Sequence, residues 1–116
     1  MLVKRFADAQ KYTAPNHRDV VGLRLQGFEE GGPQNQWVGF SQFLPGGGAG
    51  PDSTPFEKVY VVMDGEMTII VDGAETILKA MDSCTIPPHE VREIVNRNND
   101  VCKMLVVIPY PPGVKP

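Results

Sequence analysis

"EKVYVVMDGEMTIIVDGAETILK", running from Glu57 to Lys79, holds three apolar and β-branched runs separated by two Asp-Gly pairs, Asp64-Gly65 and Asp72-Gly73. Asp-Gly between strand-like runs favours a two-residue hairpin, because both central residues need positive φ and glycine adopts it freely. Two such turns predict a three-stranded meander. With both turns tight, Met63 lies opposite Glu66 and Val71 opposite Ala74. Strand alternation then puts Lys58, Tyr60, Val62, Met67, Ile69, Val71, Ala74, Thr76 and Leu78 on one face. The other face carries Val59, Val61, Met63, Glu66, Thr68, Ile70, Glu75, Ile77 and Lys79. The first face is the apolar one and is expected to form the interior, bringing Lys58 and Tyr60 with it. The second is mixed, as a solvated or subunit-covered surface would be. Its Val59, Val61, Met63, Ile70 and Ile77 are apolar enough to predict a homodimer.

The same pattern extends in both directions. "VVGLRLQ", "QWVGFSQFL", "SCTIP", "EVREIVN" and "VCKMLVVIP" are short apolar or alternating runs bounded by Gly, Pro, Asn and Asp, and no helical periodicity competes with them. The expected class is all-β, a sandwich or barrel. "LVKRF" is a possible first strand, after which residues up to 19 are polar and wrap the outside. "EEGGPQNQ" and "LPGGGAGPDSTP" read as the two long loops. The tail "YPPGVKP" cannot continue a ladder, since each proline removes a donor.

Composition narrows the function classes. At 116 residues, 41% hydrophobic and 22% charged, the chain has the balance of one domain, 1–116. A net charge of −3 with scattered basic residues leaves no patch for phosphate backbones, so no nucleic acid is expected. The start "MLVKRFADAQ" lacks the apolar core of a signal peptide, and no apolar run approaches the roughly 20 residues that span a bilayer. A cytoplasmic protein without a membrane partner is the expectation. Cys84 and Cys102 are expected to be separate reduced thiols.

"PGGG…EKVYVVMDGEM" followed by "MDSCTIPPHEVREIVN" resembles the two consecutive motifs of the cupin superfamily, small double-stranded β-helix (jelly-roll) barrels. The resemblance covers Leu44 to Ile108. It divides the chain into N-terminal strands and a wrapping segment (1–43), the motif region (44–108) and a tail (109–116). In that family the first motif supplies His-x-His and a Glu, and the second a further His; together they hold a divalent metal facing into the barrel. Matched to this sequence, the Glu position falls on Lys58, the two histidines on or beside Asp52 and Thr54, and the last histidine on Arg92. The motif's Asn is kept as Asn96, and His89 stands where the family usually has Gly. Protonated lysine and guanidinium offer no lone pairs, so neither a metal nor another cofactor is expected. An atypical metal site from Asp52, Glu57 and His89 stays open and would require loop residues to converge.

An unpaired cation inside a barrel is costly, so an inward Lys58 and Arg92 imply a partner. That partner is either an internal carboxylate, from Asp52, Glu57 or Glu90, or a small organic anion. In the second case Arg92 makes the bidentate contact, Lys58 supplies a point charge, and Thr54 completes the binding group. His89, on a loop after two prolines at a barrel mouth, is the expected catalytic histidine, with Tyr60 and Asp52 as further proton carriers. Each also has a structural reading: a solvated loop histidine, a core tyrosine, a loop acid. His17, in "APNHRD", is expected to be solvated. Glu57 should point away from Lys58. Trp37, Phe40 and Phe43 are expected in the core or an interface, and "GGGAG" reads as a flexible loop. Two functions follow from the resemblance: a metal-independent isomerase, epimerase or lyase on a small organic acid, or a non-catalytic anion-binding or sensor module. A metal-dependent cupin enzyme with unusual ligands is the third.

Overall fold

Period-two alternation marks the strands that line the interior: residues 36–43, 58–62, 92–95 and 102–105 bury every second residue. In the computed structural model, which describes residues 1–109, Trp37, Gly39, Ser41 and Phe43 are buried along one strand and Lys58, Tyr60 and Val62 along another. Nine strands are present among the described residues. They are β1 (Gln10–Tyr12), β2 (His17–Gln26), β3 (Gln36–Asp52), β4 (Lys58–Asp64), β5 (Glu66–Val71), β6 (Ala74–Lys79), β7 (Ser83–Ile86), β8 (Arg92–Val95) and β9 (Cys102–Pro109). All pairings are antiparallel, and the hydrogen-bonded order is β6-β5-β8-β3-β9-β4-β7, with β2 on the other edge of β3 and β1 on β2. The ladders close most of a barrel, the jelly roll that the strand pattern and the paired motifs imply.

β3 is the hinge of this closure. Its 17 residues pair with β9 over Gln36–Phe43 and with β8 beyond Gly48, so one strand belongs to both walls. The passage between walls runs through "GGGAG", which is strand and not the flexible loop expected from its composition. Glycine is required there by backbone contact: a Cβ on Gly48 would lie 2.0 Å from the Ile94 carbonyl oxygen, and one on Gly47 2.4 Å from that of Asp19. Asn96, fully buried, pins the bend by donating its amide to the carbonyls of Phe43, Leu44 and Asp100 at 3.1, 3.3 and 2.9 Å. Its own backbone exchanges 2.8 Å bonds with Gly46 and Gly47.

The two Asp-Gly turns separate into different devices. Asp72 (φ 50) and Gly73 (φ 75) make the expected two-residue hairpin, with Val71 opposite Ala74. Asp64-Gly65 instead carries the chain from one wall to the other: β4 pairs with β7 and β9, β5 with β6 and β8, and Glu66 lies opposite Lys79 rather than Met63. Gly65 (φ 79) is needed because the turn passes over β9, where a Cβ would meet the Val101 carbonyl oxygen at 2.9 Å. The faces survive this correction, since alternation runs within each strand: Lys58, Tyr60, Val62, Met67, Ile69 and Leu78 are buried, while Met63 and Ile77 are exposed. Three residues depart from the expected faces: Thr68 is buried on the outward face, and Ala74 and Thr76, expected inside, are exposed.

At the N-terminus, "LVKRF" forms no strand. Phe6–Asp8 is a single 3-10 turn, Phe6 packs its ring on Phe40, and the first strand is β1. The proline-rich tail from residue 110 lies outside the described residues. Cys84 and Cys102 are not bonded to each other, and burial pushes the Cys102 thiol up to about 11.

Candidate functional site

The barrel interior is divided. One half is filled by apolar side chains, including Phe43, Val62, Met67, Ile69 and Met104. The other opens into a cavity of about 400 Å³ whose wall carries Lys58 and Tyr60 from β4, Arg92 from β8, Asp52 at the end of β3, Thr54 from the loop after it, and His17 at the start of β2. Trp37, Phe56 and Ile108 supply apolar surface to the same cavity.

Arg92 is 5% exposed and donates from Nε to the Tyr60 hydroxyl at 2.8 Å, while its Nη1 reaches the Gly50 carbonyl at 3.3 Å. Lys58 is 7% exposed and donates to Thr54 Oγ1 at 2.8 Å. Among the described residues, neither cation has a carboxylate within the 4.0 Å of an ion pair; the ion pairs lie elsewhere, between Lys4, Arg24 and Glu29 and between Arg97 and Glu75. The internal carboxylate partner considered from sequence is therefore not in contact. Asp52 lines the cavity but is exposed, and its Oδ1 accepts the Ser53 backbone N–H at 2.8 Å.

Burial and the neighbouring Arg92 charge pull the Lys58 ammonium below the usual lysine range, with Asp52 opposing. Burial raises the Tyr60 phenol, opposed by the charge and hydrogen bond of Arg92. Because that phenol accepts from Arg92, its own proton remains available to a group in the cavity.

The histidines exchange places. His89 is exposed and does not line the cavity; its backbone, in the left-handed region (φ 67), donates to the Thr54 carbonyl at 2.7 Å. That conformation is one glycine adopts freely, and what position 89 contributes is a backbone clamp on the lip loop. His17 is the histidine that reaches the cavity. Asn16 (φ 58) turns the chain there: its carbonyl accepts from Gly50 N at 3.0 Å and its amide donates to the Pro51 carbonyl at 3.3 Å, docking the N-terminal segment on β3. The Nδ1 of His17 lies 2.7 Å from the Pro15 carbonyl. A carbonyl can only accept, so Nδ1 carries the proton and Nε2 of the neutral ring keeps its lone pair. Burial lowers the His17 pKa; the Pro15 bond opposes, Arg92 and Lys58 lower it further, and Asp52 raises it.

A divalent ion at the cupin position does not fit this donor set. Lys58 and Arg92 present N–H groups already engaged in donation, and among the described residues no three of His, Cys, Asp and Glu converge as ligands would. Asp52, Glu57 and His89 do not form the atypical site either: Glu57 and His89 are exposed and outside the cavity lining.

Residues 39–108 match the cupin domain family. The chain belongs to the cupin family. It is 44% identical over 111 residues to a protein of Mycobacterium tuberculosis named beta-D-galactosidase, covering 96% of each chain. Among solved structures, the polyketide cyclase RemF from Streptomyces resistomycificus superposes with a TM-score of 0.84 at 19% identity, over 98% of this chain and 82% of that one. KdgF from a Halomonas species superposes at 0.75 and 12% identity, over 94% of each chain. These two likenesses concern the fold alone. No helix among the described residues is long and apolar enough to cross a membrane.

Proposed function

We propose that this cupin is an enzyme acting on a small organic anion of the sugar-acid kind, with Arg92, Lys58 and Thr54 as its receptor and His17, Tyr60 and Asp52 as proton carriers. One observation carries this reading: two buried cations face one cavity with, among the described residues, no carboxylate at ion-pair distance. Desolvated charge of one sign costs several kcal/mol unless it is answered, and an anion entering the cavity answers both. The neutral Nε2 of His17 and the free proton of Tyr60 turn a binding pocket into an acid–base pair, which favours an enzyme over a passive module. Isomerisation, epimerisation and elimination all need that pair. Incubation with uronic and 2-oxo acids, followed by proton NMR, should show turnover that His17→Gln suppresses. Turnover equal in wild type and His17→Gln would reject His17 as a proton carrier.

A second reading, hydrolysis of a β-galactoside, is favoured by the Mycobacterium tuberculosis relative. Glycoside hydrolysis ordinarily uses two carboxyl groups about 5–9.5 Å apart, and the cavity wall carries one, Asp52. Hydrolysis here would pair Asp52 with His17 or Tyr60. Release of nitrophenol from nitrophenyl β-D-galactoside, lost in Asp52→Asn, would support it.

A further inference from the structure

The hydrogen bonds of Lys58 leave its nitrogen in an unusual position. Thr54 Oγ1 accepts from Lys58 Nζ at 2.8 Å, while the same hydroxyl exchanges 3.3 Å bonds with the backbone carbonyl and N–H of Phe56. Toward Lys58 that hydroxyl is the acceptor, over the shortest of its three contacts. Among the described residues Thr54 is the one hydrogen-bond partner of the Lys58 nitrogen. It sits 7% exposed in the cavity lining, with no carboxylate at ion-pair distance among the described residues and with Arg92 lining the same cavity. Burial and a neighbouring cation are the two conditions that turn a lysine into a nucleophile.

We infer that Lys58 forms an imine with its substrate, condensing through Nζ with the carbonyl of a 2-oxo acid or open-chain sugar acid whose carboxylate is held by Arg92. The inference rests on the anion reading above and names the substrate class within it. The Lys58 ammonium first gives one proton to a base in the cavity; the Nζ lone pair so freed attacks the carbonyl carbon, the C–N bond forms, and the carbonyl π pair moves to oxygen. That oxygen then leaves as water with one amine hydrogen and one added proton, giving the iminium ion. Tyr60 can protonate the departing oxygen, and His17 Nε2 can take the proton that Nζ sheds. The remaining iminium N–H keeps the bond to Thr54. The iminium is an electron sink that would serve proton exchange, elimination or decarboxylation next to the former carbonyl.

Reduction with cyanoborohydride in the presence of pyruvate traps such an adduct on full-length protein, and peptide mass mapping locates it. One adduct per chain at Lys58, formed faster than on any other lysine, is expected; Arg92→Ala should slow trapping about tenfold or more. Labelling spread evenly over the lysines, or undiminished in Lys58→Arg, overturns the imine. Mapping on wild type decides even if that variant folds poorly. The only tryptophan, Trp37, lines the cavity, so its fluorescence reports pyruvate binding separately. Saturable binding lost in Arg92→Ala but without adduct rejects the imine and leaves the anion site. Absence of binding and of adduct rejects both.

Discussion

Arg92 Nε donates a 2.8 Å hydrogen bond to the Tyr60 hydroxyl, joining β8 to β4, two strands that share no ladder. With the Nη1 contact to the Gly50 carbonyl, the bond holds the guanidinium at two points in the cavity lining. Tyr60 is 2% exposed, so the bond is a buried one to a charged donor. Tyr60→Phe should therefore cost about 1.5–3 kcal/mol in chemical denaturation, the range for a hydrogen bond to a charged group. It should weaken anion affinity as well, because Arg92 loses its orientation.

A histidine held neutral by burial gives stability a pH dependence of fixed sign. The His17 pKa lies below its ordinary 6.5, so the unfolded chain binds the proton more tightly than the folded one. The stability is complete above 6.5 and is lost as pH falls through the folded value. The charged groups facing His17 are Asp52 from β3, Lys58 from β4 and Arg92 from β8. In His17→Gln, thermal unfolding followed between neutral and mildly acidic pH should lose part of this decline. An unchanged profile would place the titration elsewhere.

The glycine run offers a contrast between contact and conformation. Gly48→Ala would drive a Cβ to 2.0 Å from the Ile94 carbonyl oxygen and break the β3–β8 ladder, for an expected loss above about 3 kcal/mol. Gly46 has φ +80 and nothing within 4 Å of an added Cβ, so Gly46→Ala should cost only the left-handed backbone term, about 1–2 kcal/mol. Urea midpoints of the two variants separate the effects.

The sequence carried the local half of this structure. Alternation places Lys58 and Tyr60 inside and Met63 and Ile77 outside, because side-chain direction is a property of each strand alone. Asp72-Gly73 reads correctly because its two residues decide the turn. Asp64-Gly65 does not, because which strand pairs with β4 is settled by β7 and β9, residues far along the chain. "GGGAG" has the composition of a loop but its glycines answer to carbonyls of β2 and β8 that no local pattern displays. The site divides in the same way. Arg92, Lys58, Tyr60, Thr54 and Asp52 share one cavity as the alternation and family motifs implied, whereas His17 reaches it only through the docking of Asn16 on Gly50 and Pro51. Its one local signal was a histidine opening the alternating run "HRDVVGLRLQ". The two prolines before His89 point to the barrel mouth, yet its side chain is exposed and outside the cavity lining, and its backbone alone holds the lip loop.

The most direct measurement is a Trp37 fluorescence titration of small carboxylates and phosphorylated metabolites against wild type and Arg92→Ala, with the melting temperature of each recorded alongside. Removing Arg92 should abolish most anion binding, a loss of about 1.5–3 kcal/mol, and should lower the melting temperature no further than Tyr60→Phe does, because both substitutions delete the same hydrogen bond and, among the described residues, no carboxylate stands at ion-pair distance to be stranded. Unchanged anion affinity together with a large fall in melting temperature would contradict the anion pocket and leave Arg92 as a structural plug of the barrel.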